Sequence, residues 1–346
     1  MSPKKQSNIT VSEFILRHVE SCPKEIVTFT ANHFGITRQA ALRHVRALIQ
    51  SEKLGFSGTT RDRIYTLKNE SWSKTFPLDG KLHEDQVWNR EIRPLLGALP
   101  DNVLNIWGYG FTEMLNNAID HSEGSAVVLS VIKNAVWQEV VIQDDGVGIF
   151  KKIQRTFDLD EENHAVLELT KGKLTTDAKR HSGEGIFFTS RMFDRFTIVS
   201  GSVQYLHGNN QEGDYIFGKD YLSLDHKGTI VMLRLANDAT RLMRDVFDMY
   251  TIEHDSGFGF DKTIVPIRLA FQGDSMLVSR SQAKRLLNRF ERFKVVVLDF
   301  EGVQEIGQAF ADEIFRVFPN FHPATEIRDL NANDQVQKMI SRAKKA

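Results

Sequence analysis

One cysteine, Cys22, stands in 346 residues, which excludes an internal disulfide framework and a thiolate metal cluster. It fits a reducing compartment, and with no second thiol beside it, it reads as a small residue at a helix end. No apolar run approaches the ~18 residues of a membrane span, and residues 1–7 are basic and polar where a secretory leader needs an apolar segment. A cytoplasmic location with no membrane partner is therefore expected. Internal repeats and low-complexity tracts are missing, so neither a solenoid nor a long linker is expected. No Gly-x-x-x-x-Gly-Lys-Ser/Thr loop occurs, so a nucleotide would have to be held without the P-loop device.

What is present suits a soluble globular chain. A hydrophobic share of 41% supplies core material, and the length exceeds what one core usually organises, which predicts two or three domains. Charge is unevenly spread. Residues 1–69 carry 11 Lys/Arg against 5 Asp/Glu, a net +6, while the remainder carries 33 against 40, a net −7. Only the first segment is suited to a polyanion.

Within that segment, apolar residues at helical spacing predict helices over 10–21 and 25–33 and one from Thr37 onward. Gly35 suits the left-handed turn between the last two. The third helix buries Ile36, Ala40, Ala41, Val45, Leu48 and Ile49, and turns Arg38, Gln39, Arg43 and Arg46 outward. Residues 54–67 alternate around a Gly-rich tip bearing Arg61 and Arg63, as a hairpin does. Residues 70–100 read as a connector with a helix, 101–240 as an α+β domain, and 245–346 as a further α/β domain.

Chemistry concentrates in the middle domain. Glu113, Asn117 and His121, spaced by four, project from one face of a helix whose burial face holds Phe111, Leu115, Ala118 and Ile119. Next, Asp144, Gly146 and Gly148 form Asp-x-Gly-x-Gly at a strand end, a carboxylate acceptor followed by a turn that needs glycine freedom. Third, Gly183-Glu184-Gly185 opens a helix whose free N–H groups suit phosphate oxygens. Between the last two, residues 150–182 are polar and poorly periodic, and predict a long mobile loop with one helix.

In this order and spacing, the three segments and the strand GTIVMLRL with Thr229 resemble the boxes of the gyrase, heat-shock chaperone, histidine kinase and MutL (GHKL) ATPase superfamily. The resemblance spans about 135 residues. It implies a Bergerat-type α/β sandwich binding ATP and Mg²⁺, with residues 150–182 as its lid. Asn117 would hold the ion, His121 would join the nucleotide pocket, and Asp144 would read the adenine amine with support from Thr229. Gly146 and Gly148 would let the backbone approach the nucleotide, Gly183 and Gly185 would grip phosphates, Arg180 would meet the γ-phosphate, and Glu113 would be the general base. The stretch SGEGIFFTSRMFDRFTIVSG is more similar to anti-sigma-factor serine kinases than to sensor histidine kinases, and Thr112 precedes Glu113.

Two flanking resemblances complete the picture. Residues 1–69 resemble a winged helix-turn-helix, which implies DNA contacts by Arg38, Gln39, Arg43, Arg46, Arg61 and Arg63 and is compatible with a homodimer on paired half-sites. The run VVVLDFEGVQEIGQAFADEIFRVF resembles the heart of STAS-like domains, which implies a protein partner. Where that family keeps a phosphoacceptor serine, the loop Glu305-Ile306-Gly307-Gln308-Ala309 has neither Ser nor Thr. Arg280, Lys284, Arg285 and Arg289 could touch an acidic partner, but read better as a solvated helix face. The combined expectation is a regulator coupling ATP state to DNA binding or assembly. A serine/threonine kinase acting on a separate partner and a static ATP-bound scaffold stay open beside it.

Overall fold

Three helices and a hairpin open the chain. The computed structural model describes residues 9–59, 62–174, 183–208, 213–217, 226–254, 257–270 and 277–345. Helix α1 (Val11–His18) starts at a reciprocal capping box, in which Thr10 Oγ1 accepts from Glu13 N–H and the Glu13 carboxylate accepts from Thr10 N–H. Helix α2 (Ile26–Phe34) stops at Gly35, whose φ of 63° is the left-handed turn expected there. Thr37 caps α3 (Arg38–Gln50), and β1 (Leu54–Ser57) pairs antiparallel with β2 (Ile64–Leu67). Ile15, Val19, Ile26, Val45, Leu48, Leu54 and Leu67 form a core of their own, into which Trp137 of a later strand reaches.

A seven-stranded antiparallel sheet follows, and its strands are scattered along the chain. After β3 (Glu70–Pro77) come α4 (Glu84–Val87), α5 (Arg93–Leu96) and the long α6 (Asp101–His121). Strands β4 (Ala126–Lys133) and β5 (Trp137–Asp144) form a hairpin. Helices α7 (Ile149–Phe157), α8 (Glu162–Lys171) and α9 (Gly185–Met192) precede β6 (Arg195–Gly201), β7 (Val203–Gly208), β8 (Gly213–Phe217) and β9 (His226–Ala236). The order across the sheet is β3-β4-β5-β9-β6-β7-β8. Helix α6 packs on β5 and β9, and α7 and α9 pack on β6, burying Trp107, Phe111, Leu115, Phe188 and Phe193.

The tail begins with α10 (Met243–Tyr250) and a small hairpin, β10 (Ile252–His254) with β11 (Gly257–Gly259). Its parallel sheet is β12 (Lys262–Pro266), then, after α11 (Arg280–Leu287), β13 (Val295–Asp299), and β14 (Glu326–Leu330) after α12 (Gln308–Asp312) and α13 (Phe318–Phe321). Helix α14 (Asp334–Lys345) ends the described chain. Strand β13 is central, which is why it is a continuous Val/Leu run buried on both faces.

Two expectations need correction. Residues 70–77 are not connector but an edge strand, paired along its length with β4; its exposed, polar alternation carries little apolar signal because one sheet face there meets solvent. Much of 150–182 is helical, and α8 is almost wholly buried. Its periodicity is faint because Ala165, Val166, Leu167 and Leu169 are apolar all round, and its charges are buried as a pair and so mimic a solvated loop. The polar stretch after residue 201 supplies β7 and β8. Leu277 makes one isolated parallel bridge, to Ile306.

Candidate functional site

Helix α6 positions the first three site residues. Phe111, Leu115 and Ala118 anchor one face in the core, so Glu113, Asn117 and His121 emerge half-buried on another. They line a cavity of about 270 Å³, near the lower end of the ~300–1,000 Å³ usual for small-molecule sites. Asp144, Gly183, Gly185 and Thr229 line it as well, so four segments spread over more than 100 residues of chain converge on one space. Met114, Ile142, Ile149, Ile153, Leu169, Leu174, Ile186 and Val231 supply its apolar walls.

The two ends differ in chemistry. At the C-terminal end of α6, Gly146 packs so tightly on the Ser122 carbonyl that any side chain at 146 would collide with backbone. This contact brings the end of β5 to the helix. Asp144 is buried, and its Oδ1 accepts from Gly146 N–H at 2.9 Å and from Thr229 N–H at 3.2 Å. Burial pushes its carboxyl up from the ordinary value, opposed by those two bonds. Thr229 Oγ1 in turn accepts from Ile149 N–H at 3.0 Å. Eight residues earlier on α6, about 12 Å at the helical rise, Gly185 at the start of α9 lies against the Glu113 carboxylate. Burial and the carboxylates of Glu113 and Glu184 push the neighbouring Tyr109 phenol upward, so this end is negative as well as rich in N–H donors.

Most of the remaining expected residues lie among those described. Gly148 has a φ of 87° and caps α7, and a side chain there would meet Ser200 and the Gly228 carbonyl, as one at Gly146 would meet Ser122. Gly183 accepts from Leu174 N–H at 3.1 Å through its carbonyl. Arg180 lies outside the described residues. Arg38, Gln39, Arg43 and Arg46 are exposed on α3, and among the described residues none of these arginines is ion-paired. Arg63 is half-buried with its guanidinium 4.4 Å from the centre of the Phe56 ring, and Arg61 lies outside the described residues.

Sequence reasoning missed two contributors. Lys152 lines the cavity and donates to the His121 carbonyl at 2.7 Å and to Glu123 at 2.9 Å; its signal was the amphipathic pattern of 149–157. Arg289 is not part of a solvated face but 5% exposed, bonded to Glu168 beneath the cavity wall. Among the described residues no three His, Cys, Asp or Glu side chains form a metal cluster, and no helix is long and apolar enough to cross a membrane.

Comparison with known families matches residues 282–337 to a STAS-like domain of unknown function (DUF4325), from within α11 to the first turn of α14. The chain is thus a multidomain α+β protein with a STAS-like domain at its C-terminal end. No curated protein matches the chain.

Proposed function

We propose that the cavity binds ATP as its Mg²⁺ complex and that nucleotide state is coupled to DNA binding or assembly. The observation that carries this reading is the convergence of Glu113, Asn117, His121, Asp144, Gly183, Gly185 and Thr229 on one cavity with unlike ends. An acceptor carboxylate among apolar walls suits a purine with an exocyclic amine. A helix N-terminus about 12 Å away suits phosphates. Glu113 at the phosphate end disfavours a bare triphosphate and favours one neutralised by a cation. Mg²⁺ keeps water and phosphate oxygens as most of its ligands, so Asn117 with one carboxylate suffices and no closed protein cage is needed. When bound, the ion would neutralise phosphate charge, and Glu113 would accept a proton from an attacking hydroxyl or water.

Coupling to the first domain has a physical route. Strand β5 begins at Trp137, whose indole sits in the N-terminal core and donates to Glu20 at 3.1 Å, and it ends at Asp144 in the cavity. The two ends are about 23 Å apart at the strand rise. Exposed cations on α3, in a segment of net +6, support DNA as the polyanion.

Calorimetry with Mg-ATP tests the reading. Asn117→Asp is expected to abolish binding, and Glu113→Ala to retain binding while losing phosphate release. Unchanged ATP affinity in the Asn117 variant would sink the proposal. Label from γ-labelled ATP on a co-purified protein, in place of free phosphate, would turn the ATPase into a kinase for a separate partner.

A further inference from the structure

Residues 168–174 face two ways. Leu169 and Leu174 line the cavity, while the residues between and beside them are held by the C-terminal tail. Lys171, with none of its side chain exposed, bonds Glu168 at 2.5 Å and the Asn288 carbonyl at 2.9 Å. Arg289 bonds Glu168 at 3.1 Å, the Gly172 carbonyl at 3.2 Å and the Lys173 carbonyl. Thr263 Oγ1 donates to the Lys171 carbonyl at 2.7 Å, and Lys173 Nζ bonds Asp261 at 2.8 Å and the Arg292 carbonyl at 3.0 Å. Lys173 and Arg289 both hold positive φ, of 52° and 66°, a conformation that persists only where surrounding contacts over-determine it.

This density of bonds exceeds what docking a tail requires. Three charges removed from water are costly, and a plain apolar contact would join the two domains with less desolvation. What the ionic cluster adds is direction. Together with the Thr263 hydroxyl on the 171 carbonyl, it fixes the backbone carbonyls of 172 and 173, and hence the position from which Leu169 and Leu174 enter the cavity. Packed interfaces shift between discrete arrangements rather than deform smoothly, so a change in the seating of α11 would move that wall.

Resting on the nucleotide reading above, we infer that Arg289 is a positioning residue for the ATP site, supplied by the STAS-like tail, and that nucleotide affinity and tail seating are linked. By reciprocity, nucleotide binding tightens the contacts of residues 285–292, and whatever unseats the tail weakens ATP. The STAS-like domain then acts on the nucleotide site through its seating, without a phosphoacceptor serine in the 305–309 loop.

The test uses the full chain. Arg289→Met leaves Lys171 and Glu168 as a balanced pair, so no lone charge is stranded. Its Mg-ATP Kd is expected to rise roughly tenfold, within the usual range of coupling between sites. Arg289→Lys should restore part of that loss, and Val336→Ala, which loosens α14 instead, should leave Kd unchanged. Should Arg289→Met not fold, hydrogen exchange of the unaltered chain decides: Mg-ATP should raise protection in 285–292 as well as in 168–174. No binding by the unaltered chain overturns the nucleotide reading. Binding by the unaltered chain with an unchanged Kd in folded Arg289→Met, or exchange protection that stops at 174, overturns the inference alone.

Discussion

Two glycines of the site are small for different reasons, and the difference can be measured. A methyl group at 146 meets the Ser122 carbonyl, which belongs to the backbone and cannot swing away. Gly146→Ala should therefore cost on the order of 1–3 kcal/mol in urea denaturation, as overpacking does. A methyl at 185 meets the end of the Glu113 side chain, which can rotate. Gly185→Ala should cost under about 1 kcal/mol of stability, yet remove ATP binding in calorimetry, because the displaced carboxylate occupies the cavity. The adjacent carboxylates differ in sign. Bonds from the Ser125 hydroxyl and the Ala126 and Ser125 amides hold Asp145 down at about 2, below its ordinary 3.8. Its contribution is present above pH 3.8 and is lost as pH falls towards 2. Asp144, raised by burial, contributes with the opposite sign, because ionising it on the way up in pH costs stability. Asp145→Asn should accordingly flatten the loss of urea stability between pH 4 and pH 2.

At the scale of elements, α3 and α8 show how burial sorts charge. The arginines of α3 are exposed and are not ion-paired among the described residues. Arg43→Ala should weaken binding to DNA about equally across sequences and reduce the slope of log K against log salt by about 1, as loss of one phosphate contact does. An unchanged slope would place α3 away from DNA. Helix α8 carries its cation and carboxylate inward, where burial pulls the Lys171 and Arg289 pKa values down against the pull of Glu168. The same residue types thus stand on an exposed face in one element and at an interdomain joint in the other.

At the scale of the molecule, the cavity stands between two attachments. Strand β5 leads from it to the N-terminal core, and the end of α8 leads to the STAS-like tail. Trp137→Ala removes the indole shared with the first domain, and with it the stacking contact to the Arg234 guanidinium, 3.8 Å from the ring centre. Without DNA it should leave Mg-ATP affinity within about twofold, because the indole lies far from the cavity, while abolishing any effect of ATP on DNA mobility by cutting the β5 route. A variant whose DNA binding still responds fully to ATP would show that coupling runs elsewhere.

Local chemistry was legible along the chain. The turn at Gly35, the helix from Thr37 and the helix bearing Glu113, Asn117 and His121 all depend on near neighbours, and they stand where spacing put them. What depended on distant partners was not. β3 is a strand because β4 lies beside it, α8 is buried because the tail covers it, and Arg289 is paired because Glu168 reaches it. Periodicity records which face of an element avoids water. It does not record which surface does the covering, and only the tertiary structure decides that.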